Sequence, residues 1–186
     1  MESLAGHLLI AIPDLQDSNF YRTVVLVFRH DEEGASGVVL NRPSNVQVKK
    51  VWHEIAKDGE MSHCNCKDMV HVGGPVQGPL IGLHTSLALG ESPVIPGVFV
   101  SMGRDNLNSL VHQSEQKFKI FSGYSGWSPQ QLDSEIRQGG WLTFPANKDH
   151  LFDSPEGLWK QVCQQVGHDV LRSHIGKIRP SDPSLN

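Results

Sequence analysis

Residues Gly6–Pro43, GHLLIAIPDLQDSNFYRTVVLVFRHDEEGASGVVLNRP, decide the fold. Two strongly apolar runs, Thr23–Phe28 and Gly37–Leu40, stand on either side of a polar, glycine-bearing segment. β-Branched and aromatic residues suit a pleated, buried surface, so Thr23–Phe28 is predicted as a fully buried strand. His30–Gly34 reads as a turn and Ala35–Leu40 as its antiparallel partner, with Pro43 and Ser44 ending the hairpin. Upstream, Leu8–Ile12 reads as a short buried strand that Pro13 stops, and Pro13–Asn19 as a polar connection.

A hairpin core accounts for the apolar residues but not for the polar ones at its ends. In an antiparallel pair the start of one strand and the end of the next lie at the same end of the sheet. Asp17, Arg22, Asn41 and Arg42 are therefore expected to converge, with His30 at the opposite, turn end. Two readings stay open. The four residues are an Asp–Arg pair and an Asn-Arg-Pro turn that cap the sheet edge, or they form a polar cleft where Arg22 or Arg42 grips an anionic ligand with its planar fork.

Outward from the hairpin, Val48, Val51, Trp52 and Ile55 recur at helical spacing and predict an amphipathic helix over 46–57. Val70–Val72, Leu80–His84 and Val98–Met102 read as strands, and Asn106–His112 as a short helix. Lys117–Tyr124 alternates as a half-buried strand does. Ser128-Pro129-Gln130-Gln131 has the signature of a helix start, with Ser128 as cap and Gln131 closing a capping box. Trp141–Phe144 reads as a strand. Ser154-Pro155-Glu156 opens a last helix with Leu158, Trp159, Val162 and Val166 inward, interrupted at Gly167. Residues 1–178 read as one domain with room for a small sub-lobe, and 179–186 as a frayed tail. Strands and helices mix without strict βαβ alternation, which predicts an α+β fold: a mixed, largely antiparallel β core with packed helices.

Composition excludes several classes. The chain of 186 residues is 38% hydrophobic and 19% charged, as folded domains are. Its formal net charge is −4, and Lys and Arg are scattered. Direct nucleic-acid binding calls for a concentrated positive field, and no helix-turn-helix pattern is visible. No apolar run approaches the roughly 20 residues that span a bilayer. Three cysteines, an odd number, make no disulfide framework and fit the cytoplasm.

Phosphate-loop and dinucleotide fingerprints are absent. Gly73-Gly74-Pro75-Val76-Gln77-Gly78 is either a tight strand-to-strand loop or a place where bare backbone N–H groups, at Gly73 and Gly74, meet a ligand. Gly123-Tyr124-Ser125-Gly126-Trp127 falls short of a nucleophile elbow, because Trp127 replaces the final glycine. It reads as a strand-to-helix turn anchored by Tyr124 and Trp127. His63-Cys64-Asn65-Cys66 with His71 is the one metal-like cluster, but Cys-x-Cys is a poor zinc chelate. No metal or cofactor is expected.

The motifs Gly6–Pro13, Phe20–Leu26, His30, Gly34–Pro43, Gly73–Val76, Leu83-His84, Gly123–Trp127, Gln131-Leu132, Glu135-Ile136 and Trp141-Leu142, in this order over residues 4–170, closely resemble the bacterial YqgE/AlgH family. The chain departs from that pattern at Ser18, where proline is usual, at Ser125, where alanine is usual, and at Gln130, where glycine is usual. The resemblance implies a compact α+β fold and, in some members, a link to transcriptional control of alginate production. It brings no agreed activity, cofactor or catalytic residue. The expectation is a non-enzymatic binding or regulatory protein that recognises a protein partner or a small anionic ligand. Asp17, Arg22, Asn41, Arg42, Gly73, Gly74 and Tyr124 are its candidate ligand-binding residues. The alternative is an enzyme with His30 or His84 as acid/base and Arg22 and Arg42 holding an anionic substrate.

Overall fold

The apolar runs of the hairpin are continuous because both their faces are buried. In the computed structural model, which describes residues 2–15, 17–55, 66, 68–113 and 117–175 (the last eight by backbone alone), Val24 and Leu26 face one core and Val25 and Val27 another. The elements in chain order are β1 (His7–Ala11), β2 (Val24–Asp31), β3 (Gly34–Val39), β4 (Pro43–Gln47), α1 (Val48–Ile55), β5 (Met69–Val72), β6 (Ile81–His84), β7 (Ser92–Ile95), β8 (Val98–Ser101), α2 (Arg104–His112), β9 (Phe118–Ser122), β10 (Ser125–Trp127), α3 (Gln131–Arg137), β11 (Trp141–Pro145), α4 (Lys148–Phe152) and α5 (Leu158–Ile175).

The strands form two sheets. The first has the order β10-β3-β2-β1-β11 and is antiparallel throughout. The second has the order β4-β5-β9-β6-β8-β7, with one parallel pair, β5 and β9. The fold is α+β with a mixed, largely antiparallel β core. A core shared by the two sheets takes Leu8, Ile10, Leu26 and Val38 from the first and Ile81, Leu83, Val100 and Phe121 from the second, closed by Leu158 and Val162 of α5. The outer face of the first sheet packs on α3 through Val25, Val39, Trp127, Leu132 and Trp141. The outer face of the second packs on α1 and α2 through Trp52, Val70, Leu107, Leu110 and Ile120.

The chain passes between the sheets twice, and both passages meet at one place. It leaves the first sheet after β3 and enters the second as β4; it returns from β9 to β10. Gly73 stands where they meet: its N–H donates to Ser122 O at 2.9 Å and its carbonyl accepts from Val39 N at 2.8 Å. Val76 and Tyr124 then exchange two backbone hydrogen bonds of 3.0 Å. A Cβ at Gly73 would lie 2.2 Å from Gly123 O, and one at Gly74 2.3 Å from the Tyr124 backbone. Only glycine permits this approach.

Several boundaries differ from the sequence reading. β2 runs on to Asp31 and β3 starts at Gly34, so the turn shrinks to Glu32-Glu33. Arg29 holds it by pairing with Asp31 and Glu33, while the ladder shifts at Phe28. Pro43 does not end the structure but begins edge strand β4, a position where a missing N–H costs the ladder nothing. α3 starts at Gln131, because Gln130 takes the left-handed conformation (φ +63°). The Gln131 side chain still reaches back to Ser128 N–H at 3.0 Å, the half of the capping box that does not need the helix. α5 continues through Gly167, since one glycine costs a helix only about 1 kcal/mol. Short elements β4, β7, β10 and α4 escaped the reading; their lengths of three to five residues carry little periodicity. His63, Cys64 and Asn65 of the metal-like cluster, and the 179–186 tail, lie outside the described residues.

Two substitutions test the backbone reasoning by urea unfolding. Gln130→Gly relieves the left-handed strain and is expected to stabilise the fold by about 0.5–1 kcal/mol. Gly74→Ala forces the sheets apart and is expected to cost at least ~3 kcal/mol. Equal stability of wild type and Gly74→Ala contradicts the crossing described above.

Candidate functional site

The structure brings the expected end cluster together and shows what occupies each side chain. Asn41 bridges the strand ends: its Oδ1 accepts from Val24 N at 3.0 Å and its Nδ2 donates to Arg22 O at 2.9 Å. Arg22 has φ +52°, and its guanidinium lies over the rings of Tyr21 (5.1 Å) and Trp159 (5.4 Å). Arg42 donates to Ser18 O at 3.3 Å, so it holds the 12–23 loop from behind. Asp17 turns that loop by accepting from Asn19 N at 2.8 Å. Gly73 and Gly74 sit in the backbone crossing. The Tyr124 ring sits between Gly78 and Gly126, one edge toward each, and their missing side chains make room for it.

The two candidate histidines lie elsewhere. His30 is eight residues along an extended chain from Arg22, roughly 25 Å away. Its Nδ1 accepts from Leu4 N at 3.1 Å and its Nε2 stands 3.6 Å from Asp133 Oδ1, beside a separate acidic cleft of ≈ 480 Å³. His84 is fully buried, 2.9 Å from Ser101 Oγ, and that burial lowers its pKa. The cleft beside His30 is lined by neither Arg22 nor Arg42 among the described residues.

A different set of residues converges on the outer face of the first sheet. β10 and β11 are its two edges, yet Trp127 and Trp141 reach inward until their ring centroids lie 6.2 Å apart, edge to face. α3 connects these strands and carries Glu135 between the indoles. Glu135 Oε2 accepts from Trp127 Nε1 at 3.0 Å and from Trp141 Nε1 at 2.9 Å. Gln131, one turn earlier on the same helix face, donates to Glu135 Oε1 at 2.9 Å. Both indoles are more than nine-tenths buried, so their N–H groups need this acceptor. Phe20, from the 12–23 loop, stacks on Trp127 at 6.1 Å and meets Trp141 edge-on at 5.2 Å.

Beside this assembly opens a cleft of ≈ 390 Å³, lined among others by Asp14, Asp17, Phe20, Pro75, Gly126, Gln131 and Glu135. Of the residues expected to bind a ligand, Asp17 lines it directly. Arg42 supports its loop wall, Gly74 directly precedes the lining residue Pro75, and the Tyr124 ring lies against the lining residue Gly126. Arg22 and Asn41 lie outside it. The sequence reading gave Trp127 an anchoring role and Gln131 a capping one, and took Glu135 and Trp141 as helix and strand residues within family motifs. The signal was there: an amide and a carboxylate four residues apart on a helix that joins two tryptophan-bearing strands.

A second electrostatic feature lies between the sheets. Burial, reinforced by the nearby Lys119 charge, pushes the His71 imidazole down to about 4, against the pull of Leu40 O and Asp68. Burial likewise lowers the Lys119 ammonium to about 8, although Asp153 and Asp68 oppose the shift. Lys119 donates to Asp153 O at 3.0 Å, at the end of α4. No group of three or more His, Cys, Asp or Glu suited to a metal occurs among the described residues.

Glu135→Ala strands two buried indole N–H donors, and is expected to cost about 2–4 kcal/mol and to red-shift tryptophan emission. Glu135→Gln keeps an acceptor and is expected to cost less. A Glu135→Ala variant as stable as wild type contradicts the network. For His71, the unfolded chain binds the extra proton between pH 6.5 and about 4, so stability falls as pH drops through that window. The loss is on the order of 3 kcal/mol. His71→Gln is expected to flatten urea-unfolding stability over that window by about one proton, and an unchanged slope refutes it.

A family model described as AlgH-like matches residues 8–171. The chain is similar to a UPF0301 protein of Shewanella sp. (strain ANA-3), 36% identical over 177 residues that cover 91% of this chain and 95% of that one. It is also similar to a UPF0301 protein of Pseudoalteromonas translucida, 33% identical over 180 residues with the same coverage. Among solved structures it resembles the AlgH protein of Pseudomonas aeruginosa, with TM-score 0.72 and 29% identity over 97% of this chain and 96% of that one. A Corynebacterium diphtheriae protein shares the fold, with TM-score 0.70 at 22% identity over 89% and 88% of the two chains. With nine-tenths of its length matched, this chain belongs to the AlgH-like family.

Proposed function

We propose that the chain is a non-enzymatic binding protein of regulatory type that works in the cytoplasm and captures a partner in the cleft between the 12–23 loop and α3. The observation that carries this reading is the convergence of Trp127, Gln131 and Trp141 on the Glu135 carboxylate beside that cleft. Such a network holds a surface in one shape, which is what a binding site needs. Among the described residues the lining has no Ser, Thr, Cys, His or Lys, and so none of the hydroxyl–, thiol– or amine–base pairs of nucleophilic catalysis. The family's link to transcriptional control supplies the regulatory part. No described helix is long and apolar enough to cross a membrane. The enzyme alternative draws less support, because His30 lies at the other end of the hairpin from Arg22 and His84 is fully buried. A small anionic ligand would fall to Arg22 and Arg42 rather than to the cleft.

The test is affinity capture from cell extract with quantitative comparison of variants. Asp17→Arg, at the exposed rim, is expected to lower capture of the specific partner by about tenfold or more. Glu32→Arg, in the separate acidic cleft, is expected to leave it unchanged. Equal capture by wild type and Asp17→Arg refutes the assignment, and loss on Arg42→Ala alone moves the site to the arginine cluster.

A further inference from the structure

We infer that the cleft takes an organic cation, an alkylammonium or guanidinium group, which rests on the cleft being the binding site. Three carboxylates, those of Asp14, Asp17 and Glu135, line it, and among the described residues no Lys or Arg does. None of the three is ion-paired among the described residues, where the ion pairs are Arg29 with Asp31 and Glu33, and His30 with Asp133. No ion pair among the described residues offsets their negative charge, and the lining they share includes Phe20, Trp127 and Trp141.

The acceptor count shows where a cation would bind. A carboxylate oxygen has two acceptor positions. Glu135 Oε2 spends both on the indoles, whereas Oε1 spends one on Gln131 and keeps one. Asp17 spends one position of Oδ1 on Asn19 N. Phe20, partly exposed and backed by Trp127 and Trp141, offers an aromatic surface beside these acceptors. Aromatic walls with carboxylates are the chemistry that holds ammonium and guanidinium groups, by cation–π attraction and charge-assisted hydrogen bonds. An anion in the same place would meet three like charges and, among the described lining residues, no cation. The volume, ≈ 390 Å³, suits one head group with its aliphatic stem. The shared chemistry has two sources, a free small amine or a Lys or Arg side chain of a partner protein.

The experiment titrates the full chain at low salt with agmatine, with a short arginine peptide capped at both ends, and with butyl phosphate. Tryptophan emission and the indole N–H resonances of Trp127 and Trp141 report binding. Saturation by agmatine or the peptide is expected, weakened at least about tenfold in the Asp14→Asn, Asp17→Asn double variant. Both positions are exposed, so the double variant is expected to unfold as wild type does. Agmatine binding as tightly as the peptide assigns a free amine; a peptide bound at least about tenfold more tightly assigns a partner side chain. No saturation by either cation overturns the inference, as does binding that ignores the double substitution. If butyl phosphate saturates instead, or partner capture still depends on Asp17 while no cation binds, the cation assignment fails and the cleft as binding site stands.

Discussion

The crossing at Gly73 and Gly74 is the constraint on which the rest of the structure depends. Two sheets share one core only if the chain passes between them, and here both passages meet within a few residues. The backbones approach too closely for any Cβ on the glycines, and four amide hydrogen bonds fix the spacing. Buried backbone groups must be paired, so these bonds also complete the ladders where each sheet ends. The same short segment sets the position of β10, because Tyr124 bonds Val76 immediately before Ser125 enters the first sheet.

The cleft follows from that placement. β10 brings Trp127 to one edge of the first sheet, the turn beyond it starts α3, and α3 returns the chain to β11 and Trp141 at the other edge. Glu135 then has two indoles within reach of one oxygen. Pro75 and Gly126, neighbours of the crossing, line the cleft together with α3 and the loop held by Arg42. Arg42, Asn41 and the glycines thus act on the cleft from behind, by holding its walls.

Much of this was legible in the sequence. Apolar composition placed β1, β2 and β3, and the antiparallel geometry of a hairpin put Asn41 and Arg22 at one end and His30 at the other, as the hydrogen bonds to Asn41 show. What escaped has physical causes. β10 is three residues long and reads as a turn; Pro43 reads as a stop because its role as an edge residue depends on a sheet not visible locally. Glu135 showed only as a carboxylate one turn from Gln131, because its indole partners are brought together by β10 and β11, strands at opposite edges of one sheet. Polar residues near glycine drew the reading toward the strand ends, whereas the cleft is built from tryptophans that a sequence presents as core.

The most direct measurement of this account is native-state hydrogen exchange at the amides of Val39, Gly73, Val76 and Tyr124. If the crossing locks the two sheets together, all four exchange only through global unfolding, with one shared free energy equal to that from urea unfolding. Exchange at a markedly lower free energy, while the β2 amides stay fully protected, would mean that the sheets part without unfolding and would contradict the account.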